Sequence, residues 1–203
     1  TTPWFTIEVD PESGCVKSIY DLRSRRELLD LSAGYRFGDY LYERFDKDFH
    51  VKFLDAYCKK PLAGWVDEFG RAALPPVTEA RYVAVRPERF RTRFRSETGR
   101  ALAEFIAEGP EQASGRVRLT LVVTSDPWVD LEWHIEGKQP DPWPEAGWLV
   151  LPFAIDQPQF RLGRLGSIID PAKDCVRGAN NEMFAVDTGL TITAPDGKGV
   201  GIY

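Results

Sequence analysis

Residue types that can hold a sugar are concentrated between Trp143 and Asn181. An indole ring packs against the C–H face of a sugar, while carboxylates, guanidinium groups and side-chain amides bind its hydroxyls. Turns and strand cores account for part of this composition. Trp143 lies between two prolines and is expected to be exposed, whereas Trp148 begins a predicted strand and is expected in the core. The predicted carbohydrate-contact residues are Trp143, Glu145, Arg164, Asp170, Asn180 and Asn181.

A candidate acid–base pair lies in a predicted strand, where Glu132 and His134 share one face. A histidine acid and a carboxylate base are the groups that a sugar mutarotase uses. An earlier strand carries Arg91, Arg93 and Arg95 on one face. The alternative is therefore structural, with the acidic and basic rows pairing across strands of one sheet.

The composition argues against several functional classes. A net charge of −5 and a sequence pI near 5.2 do not suit nucleic-acid binding, which needs a basic surface. No run of about 18 apolar residues occurs, so no transmembrane helix and no membrane partner are expected. The 3 cysteines and 2 histidines form no ligand pattern, and no nucleotide, serine-hydrolase or zinc-protease motif is present. We expect no cofactor and no catalytic residue in this segment, and the sequence assigns no compartment.

Alternation of apolar and polar residues with a period of two dominates the chain and predicts antiparallel strands. Aromatic and aliphatic residues recur at helical spacing between residues 46 and 74, which we interpret as a short helical insert. The predicted fold is therefore mainly β, a large antiparallel sandwich forming a single domain over residues 1–203. The chain starts at Thr1 and ends in an apolar run, which we interpret as a domain excised from a longer protein. The segment Phe37–Phe45 is predicted to be either extended or a short helix. The predicted strands are Trp4–Val9, Cys15–Asp21, Arg81–Val85, Phe90–Ser96, Ala101–Ala107, Arg116–Val123, Val129–Ile135, Trp148–Ile155, Thr191–Ala194 and Val200–Tyr203.

Four motifs in order resemble one protein family. They are FTIEVDPESGCVKSIYD, FGDYLYERF, WPEAGWLVLPFAI and LGRLGSIIDPAKDCVRGANNEMFAVDTGLTI. Together they are similar to the β-rich region that follows the catalytic domain of glycoside hydrolase family 38 alpha-mannosidases, and more closely to a bacterial branch of family-38-like proteins. The resemblance implies a galactose-mutarotase-like supersandwich. It also implies that zinc and the nucleophile belong to an upstream catalytic α/β domain, on which this segment would pack.

Three functions follow from these observations as hypotheses. The first is a non-catalytic β-sandwich domain of a family-38-like glycoside hydrolase, packing on the catalytic domain and contacting carbohydrate. The second is a stand-alone sugar mutarotase or epimerase that uses His134 with Glu132 or Glu145. The third is a carbohydrate-binding or structural module of a parent protein without catalysis.

Overall fold

Antiparallel β-sheets are the main regular structure in the part of the chain that the protein's computed structural model describes. The predicted mainly β, sandwich-like fold is confirmed. Contacts divide the chain into two compact units, Thr1–Phe153 and Ala154–Tyr203, and each is described by itself. The described residues are 1–10, 12–13, 15–46, 48–49, 52, 81–86, 89–97, 100–108, 115–141, 143–179 and 183–203.

The first unit begins with a three-stranded antiparallel sheet of β1 (Phe5–Asp10), β2 (Cys15–Asp21) and β3 (Arg26–Glu27). The turn after β1 is closed by the Asp10 carboxylate, which accepts hydrogen bonds from the Glu12 amide at 3.0 Å and the Ser13 hydroxyl at 2.5 Å. This is the behaviour that makes Asp a turn residue.

A four-stranded antiparallel sheet forms the second layer, in the order β6 (Arg89–Glu97), β7 (Arg100–Glu108), β8 (Arg116–Thr124) and β9 (Val129–Glu136). One face of this sheet packs on the first sheet, which gives the two-layer packing of a sandwich. The faces predicted for Val129–Ile135 are confirmed, because Val129, Leu131 and Trp133 pack against this core. The buried core residues are Val16, Ile19, Leu29, Phe37, Ala103, Phe105, Leu119, Leu121 and Val123.

The predicted pairing between the arginine row and the acidic row is wrong. Both strands belong to one sheet, but β6 and β9 lie at its opposite edges with two strands between them. Adjacent strands are about 4.8 Å apart, so the two rows are separated by about 14 Å. The acidic row lies beside β8 instead, and Arg118 on that strand forms an ion pair with Glu136 at 2.8 Å.

A third sheet positions the residues of the candidate site, in the order β10 (Glu145–Leu149), β4 (Tyr40–Arg44) and β5 (Val83–Val85). The predicted strand Trp148–Ile155 is displaced, because the strand ends at Leu149. Beyond it the chain bonds to other segments: Val150 N donates to Asp39 O at 2.9 Å, and Phe153 forms only an isolated bridge with Leu29. Pro152 has no amide hydrogen to continue a ladder.

The second unit contains a four-stranded sheet and a short helix, Pro171–Asp174. The sheet order is β12 (Ser167–Ile169), β11 (Gln159–Arg164), β13 (Gly189–Thr193) and β14 (Gly199–Ile202). The predicted final hairpin is confirmed, and Gly197 in its turn has the positive φ of 80° that glycine adopts without strain. Of the helical insert predicted at 46–74, most lies outside the described residues, while residues 48, 49 and 52 are helical.

Candidate functional site

The two faces of the sheet β10–β4–β5 differ in chemistry. Trp148 stands directly opposite Leu41, and Ala146 and Ala84 flank Glu43, so these residues share one face. The alternate residues point the other way: Tyr40 and Tyr42 are buried against Val117 in a small core cluster. The first face, which we call the outer face, carries a half-buried carboxylate between aromatic residues.

Glu43 holds two aromatic side chains on this outer face. Trp148 Nε1 donates to Glu43 Oε2 at 2.6 Å, and the Tyr82 hydroxyl donates to Glu43 Oε1 at 2.5 Å. Each carboxylate oxygen therefore fixes one ring. The hydrogen bond to Glu43 raises the pKa of Tyr82, since ionising the phenol would remove the donor and place two negative charges together. Trp148 is 40% exposed and Tyr82 is 39% exposed.

These side chains line a cleft of about 450 Å³. Its size falls within the range of small-molecule sites, and its lining combines aromatic rings with a carboxylate and a guanidinium group. We call it the Trp148 cleft. Its lining residues are Tyr35, Leu41, Tyr42, Glu43, Tyr82, Ala84, Val85, Arg86 and Trp148.

Arg86 is held in the cleft wall by a buried carboxylate. Arg86 Nη2 donates to Asp39, which is only 4% exposed and also accepts the Arg36 amide at 2.8 Å and Arg36 Nε at 3.0 Å. The Arg86 guanidinium also lies over the Tyr35 ring, 5.8 Å from its centroid. These contacts hold the Arg86 charge in one place and fix this wall.

Two further aromatic rings pack beside Tyr82. The Phe49 and Tyr82 rings stack with centroids 4.8 Å apart and planes inclined by 12°, and Phe45 lies 5.6 Å from Phe49. Such offset stacking fixes ring orientation beyond what burial alone provides. Tyr82 thus has a ring neighbour as well as its hydrogen bond to Glu43.

The predicted contact residue Glu145 lies on the opposite face, where it belongs to a half-buried polar cluster. It accepts a hydrogen bond from the Tyr42 hydroxyl and ion pairs with Lys138, with Nζ at 2.6 Å from Oε1. Burial raises the pKa of Tyr42, and the hydrogen bond to Glu145 and its charge raise it further. The Glu145 side chain is only 20% exposed.

The expectations for the two tryptophans are reversed. Trp143, expected to be exposed, is only 7% exposed, whereas Trp148, expected in the core, lines the cleft. Trp143 is held inward because its amide donates to Asp141 at 2.9 Å and Asp141 ion pairs with Arg44 at 3.0 Å. Trp148 faces outward because its pairing with Leu41 places it on the face of the sheet that points away from the buried Tyr40 and Tyr42.

The remaining predicted contact residues lie in the second unit. Asp170 caps the short helix by accepting the Ala172 amide at 3.0 Å, and it ion pairs with Arg161 at 2.9 Å and Lys173 at 3.3 Å. Burial raises the pKa of Asp170, but these hydrogen bonds and positive charges together lower it below its usual value. Its described contacts all stabilise the local fold. Arg164 is half-buried at the end of β11, and Asn180 and Asn181 lie outside the described residues.

The acid–base pair predicted on β9 does come into contact. His134 Nε2 lies 2.8 Å from Glu132 Oε1, as expected for residues two apart on one strand face. Both side chains are exposed, at 45% and 64%, and neither lines the Trp148 cleft.

Comparisons with protein-family models, curated proteins and solved structures gave no match. Within the described ranges, no group of three or more His, Cys, Asp or Glu residues is arranged to hold a metal ion. No helix in the described part of the chain is both long enough and apolar enough to cross a membrane.

Proposed function

We propose that this chain is a non-catalytic β domain of a carbohydrate-active protein and that it contacts carbohydrate through the Trp148 cleft. The observation that supports the proposal is the arrangement of Trp148 and Tyr82, each hydrogen-bonded to one oxygen of Glu43 at the cleft. Rings fixed in this way can receive the C–H face of a sugar with little loss of side-chain entropy.

The polar groups of the cleft suit vicinal hydroxyls. An ionised carboxylate offers about four lone-pair positions, and the Trp148 and Tyr82 hydrogen bonds to Glu43 use two of them. Two sugar hydroxyls can therefore donate to Glu43 while the rings keep their contacts. The guanidinium of Arg86 supplies donors on the same lining.

The parent that this proposal favours is a family-38-like alpha-mannosidase. The four ordered sequence motifs support it, as does the mainly β fold. In such a protein an upstream α/β domain would hold zinc and the nucleophile, and this segment would support that domain and contact the sugar chain. The sequence upstream of Thr1 in the parent tests this part, because a parent without an α/β domain carrying an Asp/His zinc set contradicts it.

Titration of the chain with mannose and oligomannosides tests the contact, using amide chemical shifts and calorimetry. We expect weak binding, with a dissociation constant of about 1 mM, which corresponds to roughly −4 kcal/mol. Shift changes should centre on Leu41, Glu43 and Trp148. Trp148→Ala should abolish binding because it removes the stacking surface.

The matched control is Trp128→Ala, which removes a tryptophan that is 54% exposed but does not line the cleft. Binding should survive this substitution. Absence of heat and of shift changes with every sugar would contradict the carbohydrate contact and favour a purely structural module. Equal losses in the two variants would place the contact elsewhere.

A second candidate function rests on the 2.8 Å contact between His134 and Glu132. This pair has the two residue types that a mutarotase uses as acid and base, and both side chains are exposed. Mutarotation of galactose and glucose, followed by polarimetry with the wild-type chain and His134→Ala, tests it. Rates that match the buffer alone, or that the substitution leaves unchanged, remove this function.

A further inference from the structure

The face of the four-stranded sheet that points away from the core carries opposite charges at its two edges. Directly paired residues share a face, so one row across the sheet reads Arg95, Leu102, Val122 and Asp130. The adjacent row reads Arg93, Glu104, Thr120 and Glu132. Each row therefore begins with an arginine on β6 and ends with a carboxylate on β9.

The charges at the two edges are not neutralised by each other. Arg91, Arg93 and Arg95 are exposed along β6, and Asp130, Glu132 and Glu136 are exposed along β9. The edges are about 14 Å apart, which exceeds the Debye length of about 8 Å at physiological salt. Between them, β7 carries both Arg100 and Glu104, and Arg118 on β8 pairs with Glu136 at 2.8 Å, so the inner strands have mixed charge.

We propose that this face is a self-complementary surface on which a second copy of the chain docks about a two-fold axis parallel to the strands. Rotation about this axis places each edge of one sheet over the opposite edge of the sheet in the second copy. Residues of the two copies keep the same position along the strands. Arg95 of each copy then lies over Asp130 of the other, and Arg93 lies over Glu132. β7 lies over β8, and the charge complementarity between the two copies therefore comes from the edge strands β6 and β9.

The size of the face suits a weak dimer. Three strands of nine residues and one of eight cover about 19 Å by about 30 Å, so two copies would bury about 1,100 Å² in total, just above the minimum for a specific interface. Leu102, Ile106 and Val122 are half-buried in the middle of the face and give the contact an apolar centre. Exposed ion pairs each contribute little and are screened by salt, so the dimer should dissociate at high ionic strength.

Sedimentation equilibrium over a range of concentrations and salt tests the proposal. The wild-type chain should form a dimer at low salt that is lost at about 1 M salt, where the Debye length falls to about 3 Å. Arg95→Asp and Asp130→Arg should each weaken dimerisation by about tenfold or more, because each places like charges together at two symmetric contacts. These positions leave the contact between His134 and Glu132 intact.

Mixing the two single variants provides the decisive measurement. In the mixed dimer, the carboxylate introduced by Arg95→Asp would face the guanidinium introduced by Asp130→Arg. At the symmetric contact, the unchanged Arg95 of one chain would face the unchanged Asp130 of the other. Dimerisation should therefore return although each variant alone is monomeric.

Recovery on mixing cannot come from misfolded chains, and circular dichroism checks the fold of each variant. The double variant Arg95→Asp/Asp130→Arg should dimerise as the wild type does.

Three results would overturn the proposal. One is a wild-type chain that remains monomeric at every concentration and salt. Another is failure of the mixture to recover, which would leave the arginine row as a surface for an unrelated anionic partner. The third is growth beyond the dimer, because edge-to-edge pairing of β6 with β9 makes an open chain of molecules and has no two-fold axis.

Discussion

Two carboxylates on opposite faces of one sheet, Glu43 and Glu145, accept hydrogen bonds from tyrosine hydroxyls but in different surroundings. Glu145 binds Tyr42, which is 3% exposed, and ion pairs with Lys138. Glu43 binds Tyr82 and the Trp148 indole, both of which are more than a third exposed. The described donors to Glu43 are neutral, so its charge faces the cleft and remains accessible to a ligand.

The difference separates a stabilising cluster from the proposed binding site. A charge in a half-buried cluster needs its partners, because each unpaired group there retains the cost of desolvation. A charge at an exposed aromatic cleft is hydrated when the cleft is empty, and a ligand hydroxyl can replace that water. Substitution of the two glutamates should therefore affect different properties.

The largest expected effect is on stability, from Glu145→Ala. This substitution leaves the buried Tyr42 hydroxyl without an acceptor and Lys138 without its carboxylate, so we expect a loss of about 2–4 kcal/mol in the free energy of unfolding. Glu43→Ala should cost less than about 1 kcal/mol, because its partners are exposed and water replaces it. Urea denaturation of both variants measures the difference. Equal losses in the free energy of unfolding would show that burial does not distinguish the two glutamates.

A second effect should come from Gly147→Ala, at the position between Ala146 and Trp148. A Cβ at Gly147 would lie 2.6 Å from the Tyr40 hydroxyl oxygen and 2.7 Å from its ring carbon Cε2. Tyr40 is 6% exposed and cannot move freely, so we expect a loss of about 1–3 kcal/mol in the free energy of unfolding. Thermal denaturation checks it.

The control for Gly147→Ala is the same substitution combined with Tyr40→Leu, which removes the ring that the new methyl group meets. The cost of Gly147→Ala should fall in that background, giving a measurable coupling between the two positions. Additive losses would show that the close approach of Tyr40 is not the cause.

The sequence predicted the strands well because their alternation is strong, and it predicted the site poorly. Alternation in the segment from Tyr40 to Arg44 identifies two faces, but it cannot say which partner strand lies beside them. The outward position of Trp148 depends on its register with Leu41, and that register joins residues more than a hundred positions apart. A run such as Trp148 to Phe153 contains too few polar residues to set its own inward face.

Glu43 and Tyr82 were missed for the same reason. Neither residue lies in the segment from Trp143 to Asn181, and the sheet brings them to Trp148 from two separate strands. A signal was present in the alternation of Tyr40, Leu41, Tyr42 and Glu43, which predicts that Glu43 points away from any face buried by the two tyrosines. Asp170, by contrast, was recognisable as a helix cap from the Pro171 that follows it.

Alkaline pH should destabilise the folded protein through ionisation of Tyr42. The pKa of Tyr42 is raised in the folded protein, while the unfolded chain titrates near 10, so the folded state holds this proton more tightly. The stabilisation is fully present below about pH 10 and is lost as the pH rises above it, by up to about 1.4 kcal/mol per pH unit. Tyr42→Phe should flatten this loss.

Tyr82→Phe supplies the comparison on the outer face. The pKa of Tyr82 is also raised, first by its hydrogen bond to Glu43 and then by burial, whereas burial is the largest cause of the raised pKa of Tyr42. Its removal should flatten the alkaline loss of stability less than removal of Tyr42. Urea denaturation between about pH 8 and pH 11 measures both slopes, and a larger change for Tyr82→Phe would contradict the assignment of Tyr42 to the buried cluster.

The smallest effect on stability should come from Trp148→Phe, and it separates the two roles of this side chain. Phenylalanine keeps an aromatic face but loses the Nε1 donor that binds Glu43 at 2.6 Å. Because the residue is exposed, we expect a change of less than about 0.5 kcal/mol in the free energy of unfolding. Binding of oligomannoside should weaken by roughly threefold to tenfold, to a level between the wild type and Trp148→Ala, because the ring loses its fixed orientation and part of its stacking area.

If Trp148→Phe binds no better than Trp148→Ala, the hydrogen bond to Glu43 is as necessary as the ring. If it binds as the wild type does, Glu43 does not position Trp148 for the ligand, and the contrast between the two glutamates would rest on burial alone.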